Sequence, residues 1–291
     1  MRSMHDRAAP EAPETAHDAA PPTALTIAGS DSGGSAGVQA DLRAFFACGV
    51  HGMTALTAVT VQNTIGVTGV HAIPPETVAA QIEAVAGDIG VGAAKTGVLA
   101  SADTIRAALR ACDAHGIGRG GRSPFVVDPV AASRSGEPLL APDALDALRH
   151  EAFPRATLVT PNLDEVRLLT GIDARTREDL RDAAKAVHEF GPEWVLIKSG
   201  HLPDDPECVD LLFDGETALP LTAPRYSTEH THGAGDAFAS SITAALARGA
   251  TVPDAVRAGK RFVTRCVEHA YPLGAGVGPV SPSWRVDPAQ W

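Results

Sequence analysis

The sequence predicts a single three-layer α/β domain over residues 24–291, with a mainly parallel central sheet and helices on both faces. Three observations predict it. Short apolar runs alternate with helix-length stretches along the chain. No internal repeat or low-complexity linker interrupts them after residue 23. Gly-rich or polar loops follow several strand-like runs, at the ends where ligands of such sheets bind.

Residues 1–23, rich in Ala, Pro and acidic side chains, read as a disordered tail without the apolar segment of a signal peptide. Residues 24–28 form the first strand, 29–37 a Gly-rich turn and 38–48 a helix. Two runs rich in β-branched residues follow at 53–61 and 67–72. A helix over 76–86, a strand over 92–95, a helix over 102–115 and a strongly apolar strand over 125–130 continue the pattern. A helix then starts at Pro142, followed by a strand over 157–160, helices over 163–169 and 177–190, and a strand over 194–198. The runs 209–213 and 217–221 read as an antiparallel pair turning at Asp214-Gly215. Helices over 234–248 and 253–269 close the chain.

The charge balance, 24 Lys+Arg against 35 Asp+Glu for a net −11, argues against broad nucleic-acid or anionic-membrane binding. No run reaches the roughly 18 apolar residues of a membrane-spanning helix. Cys48, Cys112, Cys208 and Cys266 are too far apart for a zinc knuckle or a disulfide framework, which favours free thiols in a reducing cytoplasm. Cys48 and Cys266 read as small core residues of helices, and Cys208 opens a strand. Aromatics make up only 4%, so Ala, Val, Leu and Ile must build the core.

Two familiar patterns are decoys. Gly33-Gly-Ser35-Ala-Gly37 matches a hydrolase nucleophile elbow, but almost no chain precedes it to supply an oxyanion loop. The glycines also suit a tight strand-to-helix turn over a ligand. Gly29, Gly33, Gly34 and Gly37 are wrongly spaced for a dinucleotide fingerprint, and no Walker A motif occurs.

The strongest chemical signal is His230-Thr-His-Gly233-Ala234-Gly235-Asp236. Two glycines opening a long helix present unpaired N–H groups, an anion-binding nest reinforced by the helix dipole. Asp236 beside it suits phosphoryl transfer: the carboxylate accepts the proton of an attacking hydroxyl while the nest holds the developing charge. Read alone, Asp236 is equally an ordinary acidic residue of a first helical turn. Three strand ends add to the signal. Asn162 and Glu165 share one face of a helix turn and suit hydrated Mg²⁺ held with substrate phosphates. Asp128 could join through water, and Lys198 could meet a phosphate. His230 and His232 flank the nest, where contact with phosphate and a loop-fixing hydrogen bond are both open.

At these residues the chain resembles the ribokinase-like superfamily, and within it the hydroxymethylpyrimidine/phosphomethylpyrimidine kinases of thiamine biosynthesis. The resemblance rests on Leu-Thr-Ile-Ala-Gly29-Ser-Asp-Ser-Gly-Gly-Ser-Ala-Gly37-Val-Gln-Ala-Asp41-Leu, Gln62-Asn-Thr, Lys95-Thr-Gly-Val-Leu and Val-Asp128-Pro-Val. It continues through Ser135-Gly-Glu-Pro-Leu-Leu, Thr-Pro-Asn162-Leu-Asp-Glu165, Lys198-Ser-Gly-His-Leu, Thr231-His-Gly-Ala-Gly235 and Gly276-Val-Gly-Pro-Val. These stand in order over nearly everything after residue 23.

The resemblance implies that ATP–Mg²⁺ phosphorylates the hydroxymethyl group of 4-amino-5-hydroxymethyl-2-methylpyrimidine, with a second round on the monophosphate. It places Gly29, Asp41, Gln62 and Val98 around the pyrimidine. Gln62 suits an aminopyrimidine edge because its amide both donates and accepts. It gives Asn162, Lys198 and Thr231 to ATP, Glu165 and Asp128 to the metal, and Gly233, Ala234 and Gly235 to the anion hole. Three positions depart from the family: Val98 replaces the usual Met, Arg134 the usual Lys, and Asp236 the usual Cys. A pyridoxal-type kinase is the nearest alternative, and a catalytically silent pyrimidine-binding protein the remote one. The resemblance leaves a homodimer open. Of the four lysines, Lys95 and Lys198 fall at the expected site, while Lys185 and Lys260 read as helix surface.

Overall fold

The computed structural model describes residues 20–131, 140, 143–200, 202 and 205–286. The chain begins with β1 (Thr23–Asp31), α1 (Gly37–Ala47), β2 (His51–Gln62), β3 (Val67–Ala72) and α2 (Pro75–Asp88). Next come β4 (Ala93–Thr96), α3 (Ala102–Ala114), β5 (Phe125–Val127), α4 (Ala144–Ala147) and β6 (Leu158–Val159). They are followed by α5 (Leu163–Thr170), α6 (Asp179–His188), β7 (Trp194–Ile197), β8 (Glu207–Phe213) and β9 (Ala218–Pro224). The helices α7 (Ala234–Ala247) and α8 (Val252–Glu268) come last. No helix among the described residues is long and apolar enough to cross a membrane.

All nine strands join one sheet in the order β3-β2-β1-β4-β5-β6-β7-β8-β9. Pairing from β2 through β7 is parallel, while β3, β8 and β9 add antiparallel edges. Strand alternation sorts the side chains into two cores. Leu25, Ile27, Met53, Ala55, Phe125, Val127 and Ile197 face one side, packed with residues of α2, α3, α5 and α6. Ala93, Val126, Leu158, Leu196 and Leu212 face the other side, against Phe238, Ile242, Ala255 and Val256 of α7 and α8. Phe45 of α1 joins Ala24 and Ala244 on that second side. Because Ala93 points toward α7, Lys95 two residues on points the same way, and its register partner Thr26 of β1 does too.

Three expectations need correcting. The strand read over 125–130 stops at Val127, because Pro129 has no N–H to continue a ladder and Val130 turns back to the Asp128 carbonyl at 2.9 Å. The helix read from Pro142 is the short α4, which passes into a π-helical turn and then a 3-10 turn ending at Arg155, with Pro154 stopping it. Pro142 itself lies outside the described residues, as do residues 1–19 of the expected tail. At the other end of that tail, Thr23 already belongs to β1 and the Pro22 carbonyl accepts the His51 amide.

Lys260 is the third correction. It is only 5% exposed, and its Nζ lies 2.6 Å from Asp210 Oδ2 and 3.2 Å from Cys208 Sγ. Cutting one partner from such a pair leaves a buried uncompensated charge. Lys260→Met is therefore expected to lower the unfolding free energy by about 3 kcal/mol or more. Urea denaturation would show this as a lower midpoint at unchanged slope, and Lys260→Met/Asp210→Asn should recover most of the loss.

Candidate active site

The parallel strands deliver their carboxyl ends to one edge of the sheet, and α7 starts there. Gly233 caps α7 in the left-handed region, at φ 77°, and a Cβ on it would overlap the Ser35 carbonyl. Only glycine fits. The first turn of α7 thus presses on the loop after β1 and begins without any side-chain cap. An uncapped helix start holding Gly233, Ala234 and Gly235 is chemically an anion receptor. Ser35 itself is 4% exposed, and its backbone serves this packing while its amide donates to Asp31 Oδ2 at 2.8 Å. That is the tight-turn use of the Gly-Ser-Gly pattern.

Asp236 lies in that first turn with a side chain 17% exposed, and its Oδ1 is 3.7 Å from Lys95 Nζ. Lys95 is fully buried. Its ammonium also donates to Asp41 Oδ1 at 2.8 Å, where Ser240 Oγ donates at 2.6 Å, while Thr26 Oγ1 donates to Asp41 Oδ2 at 2.6 Å. Burial pushes the Asp236 carboxyl up to about 7; Asp41 and Asp128 push the same way, against the pull of Lys95 and Lys198. Burial alone would depress Lys95, but Asp41, Asp236 and Asp128 outweigh it and hold the ammonium above its ordinary value.

Beside this pair, Asp128 Oδ1 accepts from Lys198 Nζ at 2.7 Å and from Thr160 Oγ1 at 2.9 Å. Asp128 Oδ2 is buried and has no hydrogen-bond partner. Lys198 continues β7 and also reaches α7: a Cβ built on Gly235 would lie 3.5 Å from its Nζ. Asn162 and Glu165 form a reciprocal capping box on α5. Asn162 Oδ1 accepts the Glu165 amide at 2.8 Å, and Glu165 Oε2 accepts the Asn162 amide at 2.7 Å. The spacing that reads as a metal motif therefore also starts the helix. Burial raises the Glu165 carboxyl to about 8, with Asp128 adding to the rise and Lys198 and the Asn162 amide opposing it.

A second group gathers near the turn after β1. A Cβ on Gly29 would sit 3.9 Å from Val98 Cβ and 3.6 Å from the Ala58 carbonyl, so Gly29 and Val98 face each other. Gln62 Oε1 accepts from Thr60 Oγ1 at 3.1 Å, and its Nε2 lies 3.3 Å from His232 Nε2. His232 Nε2 is also 3.8 Å from Asp31 Oδ2. His230 fixes a loop, its Nδ1 accepting the Gly278 amide at 3.1 Å, and the Val277 amide donates to the Thr64 carbonyl at 3.0 Å. Thr231 contributes its carbonyl to the Ala234 amide at 3.2 Å.

The structure thus joins Asp236, Asp128, Lys198, Glu165, Asn162 and the nest into one charged cluster. Gly29 with Val98, and Gln62 with His232, stand as a neighbouring apolar-and-amide group. Asp41 is placed apart from that second group, beneath Asp236, with both its oxygens taken. Arg134 and residues 135–139 of the Ser135 motif lie outside the described residues, as does His201. Asp31 was missed: it accepts the amides of Gly33, Ser35 and Ala36 and so shapes the Gly-rich turn. An Asp two residues before Gly is a readable Asx-turn signal. Ser240 was also missed, although it sits one helical turn beyond Asp236 on the same face.

Comparison with known proteins gives the chain a family and a set of structural relatives. A hydroxymethylpyrimidine/phosphomethylpyrimidine kinase of Mycobacterium bovis is 55% identical over 269 residues, covering 91% of this chain and 95% of that one. Among solved structures, a Bacillus subtilis pyridoxal kinase in complex with ADP superposes with TM-score 0.82 at 38% identity, over 91% of this chain and 98% of its own. A Staphylococcus aureus pyridoxal kinase in complex with AMP-PCP and pyridoxal gives TM-score 0.81 at 34% identity, over 91% and 94%. The family described as phosphomethylpyrimidine kinase matches residues 31–281, a span that takes in every strand end and the helix start described above, and the chain belongs to that family.

Proposed function

We propose that this chain transfers the γ-phosphoryl group of ATP to the hydroxymethyl group of 4-amino-5-hydroxymethyl-2-methylpyrimidine, as a step toward thiamine diphosphate. The observation that carries the reading is Asp236 in the uncapped first turn of α7, backed by a buried lysine and flanked by a second. Asp236 takes the proton from the substrate hydroxyl; a carboxyl near 7 is well matched to that task at neutral pH. The N–H groups of Gly233 and Gly235 and the ammonium of Lys198 hold the charge on the moving phosphoryl group, the Ala234 N–H being given to the Thr231 carbonyl. Gly29 and Val98 flank the flat ring, and Gln62 reads its amino edge.

The donor set also suits Mg²⁺. Asp128 Oδ2 is a buried acceptor with nothing to accept from, next to the buried Glu165. No group of three metal-ligating side chains occurs among the described residues. Asp128 and Glu165 would therefore hold the ion together with phosphate oxygens and water, a common setting for this cation. A bound Mg²⁺ would offset negative charge on the nucleotide phosphates.

The pyridoxal kinases with the same fold favour one competing substrate, pyridoxal. A steady-state panel of hydroxymethylpyrimidine, its phosphate and pyridoxal decides, with the highest kcat/KM expected for the pyrimidine alcohol. Absence of Mg²⁺-dependent ADP release with all three would leave a silent binding protein.

The monophosphate should be the poorer acceptor. Its phosphate carries about −1.5 to −2 at neutral pH. Facing the Asp236 carboxylate, it meets repulsion of about 1–4 kcal/mol. Because Asp236 gains its charge only near pH 7, the ratio of kcat/KM for alcohol over monophosphate should rise between pH 6 and pH 8.5. Comparable turnover of both substrates at pH 8.5 would overturn this.

A further inference from the structure

The Asp41–Lys95 pair needs a reason for being where it is. A fully buried ammonium is costly, and replacing a buried ion pair with apolar groups is often neutral for stability or favourable. Here the pair lies directly beneath the catalytic turn. Alternation along β4 aims Lys95 at α7, and β1 supplies Thr26 opposite it in register. α1 supplies Asp41, and Ser240 comes from the turn of α7 after Asp236. Asp41 accepts three hydrogen bonds, from Thr26, Lys95 and Ser240, all at 2.8 Å or less, so its orientation is fixed. Lys95 is then held nearer Asp41, at 2.8 Å, than Asp236, at 3.7 Å.

We propose that Asp41 and Lys95 together are the positioning pair of Asp236: Lys95 supports the carboxylate from inside the sheet, and Asp41 restrains Lys95 from closing on it. The inference rests on the reading of Asp236 as the base. A base locked in a close ion pair would be too weak to take a proton, and one with no cation beneath it would stay protonated. Four charged groups from separate elements act on Asp236: Lys95 of β4, Asp41 of α1, Asp128 after β5 and Lys198 after β7. Of the four, only Lys95 and Asp41 have no exposed surface, and they are bonded to each other. Asp41 then acts through Lys95 and not by touching the pyrimidine, as the resemblance implies for it.

The two roles predict different kinetics. In Asp41→Asn, Lys95 is free to favour Asp236. The acid limb of the kcat–pH profile should move down by about one pH unit, with KM for the pyrimidine unchanged within about twofold. In Lys95→Met the limb should move up by about one unit, cutting kcat at pH 7 about fivefold. Opposed shifts at constant KM support the pair. Shifts in the same direction, no shift, or a rise in KM of tenfold or more in Asp41→Asn would overturn it. If Lys95→Met does not fold, Asp41→Asn decides alone by the direction of its limb. Asp236→Asn is measured alongside. If that variant keeps near-normal kcat, the base assignment falls and takes this inference with it. If it loses activity while the Asp41→Asn limb stays in place, only the positioning pair is overturned.

Discussion

Asp236→Asn is expected to lower kcat by about 10²- to 10⁴-fold, the range for loss of a positioned general base, while making the folded protein more stable at alkaline pH. Both halves follow from one environment. The carboxyl is largely buried and faces Asp41 and Asp128 as well as two lysines, and its proton is held up to about 7. The unfolded chain releases that proton in the ordinary carboxylate range, near 4. Between those two values the native state binds more protons than the unfolded state, so this group's contribution to stability falls as pH rises through about 4 to 7. Asn keeps the shape and never ionises, so it escapes that loss. Thermal unfolding should show the variant gaining on the parent, and gaining more at pH 8 than at pH 5. The parent's kcat should decline below about pH 7 as the base takes up its proton. A variant with little loss of kcat would remove Asp236 from the chemistry, whatever its stability.

What the sequence displayed and what it hid divide along a physical line. Local patterns were legible. Short, nearly continuous apolar runs in β1 and β5, and Asp214-Gly215 between β8 and β9, mark their own conformation within a few residues. The uncapped start of α7 was legible too, because Gly233 and Gly235 and the acid after them are contiguous. Contacts between distant segments were not. Ser240 and Asp41 are 199 residues apart, Lys95 and Asp41 54, and no local spacing announces that they share a buried site. Lys260 was misread for the same reason. A lysine in a helix is normally solvated, and its partner Asp210 lies 50 residues earlier on β8. The Asn162–Glu165 spacing carried two meanings at once, a capping box and a candidate ion site, and only the buried, partnerless Asp128 Oδ2 beside it favours adding the second.

The other large effect is expected at Lys198. Its side chain is 13% exposed, and its ammonium bonds Asp128 at 2.7 Å and reaches the Gly235 position of the nest, so it joins the metal-side carboxylates to the anion hole. Lys198→Met removes a preorganised cation from the phosphoryl path, for which a loss in kcat of about 10²- to 10³-fold is the usual scale. It also strips the counter-charge from Asp128, 1% exposed, and weakens the opposition to protonation at Glu165. Breaking such a pair costs about 3–5 kcal/mol of stability. Two effects in one variant must be separated. Lys198→Arg keeps the positive charge and should preserve most of the stability. Its planar, broader head cannot reproduce the compact ammonium between Asp128 and Gly235, so its kcat should fall between those of the parent and Lys198→Met. Differential scanning measurements with kcat on the folded fraction give both readings. If folded Lys198→Met turned over at the parental rate, Lys198 would be a structural counter-ion to Asp128, and stabilisation of the phosphoryl group would fall to the α7 nest alone.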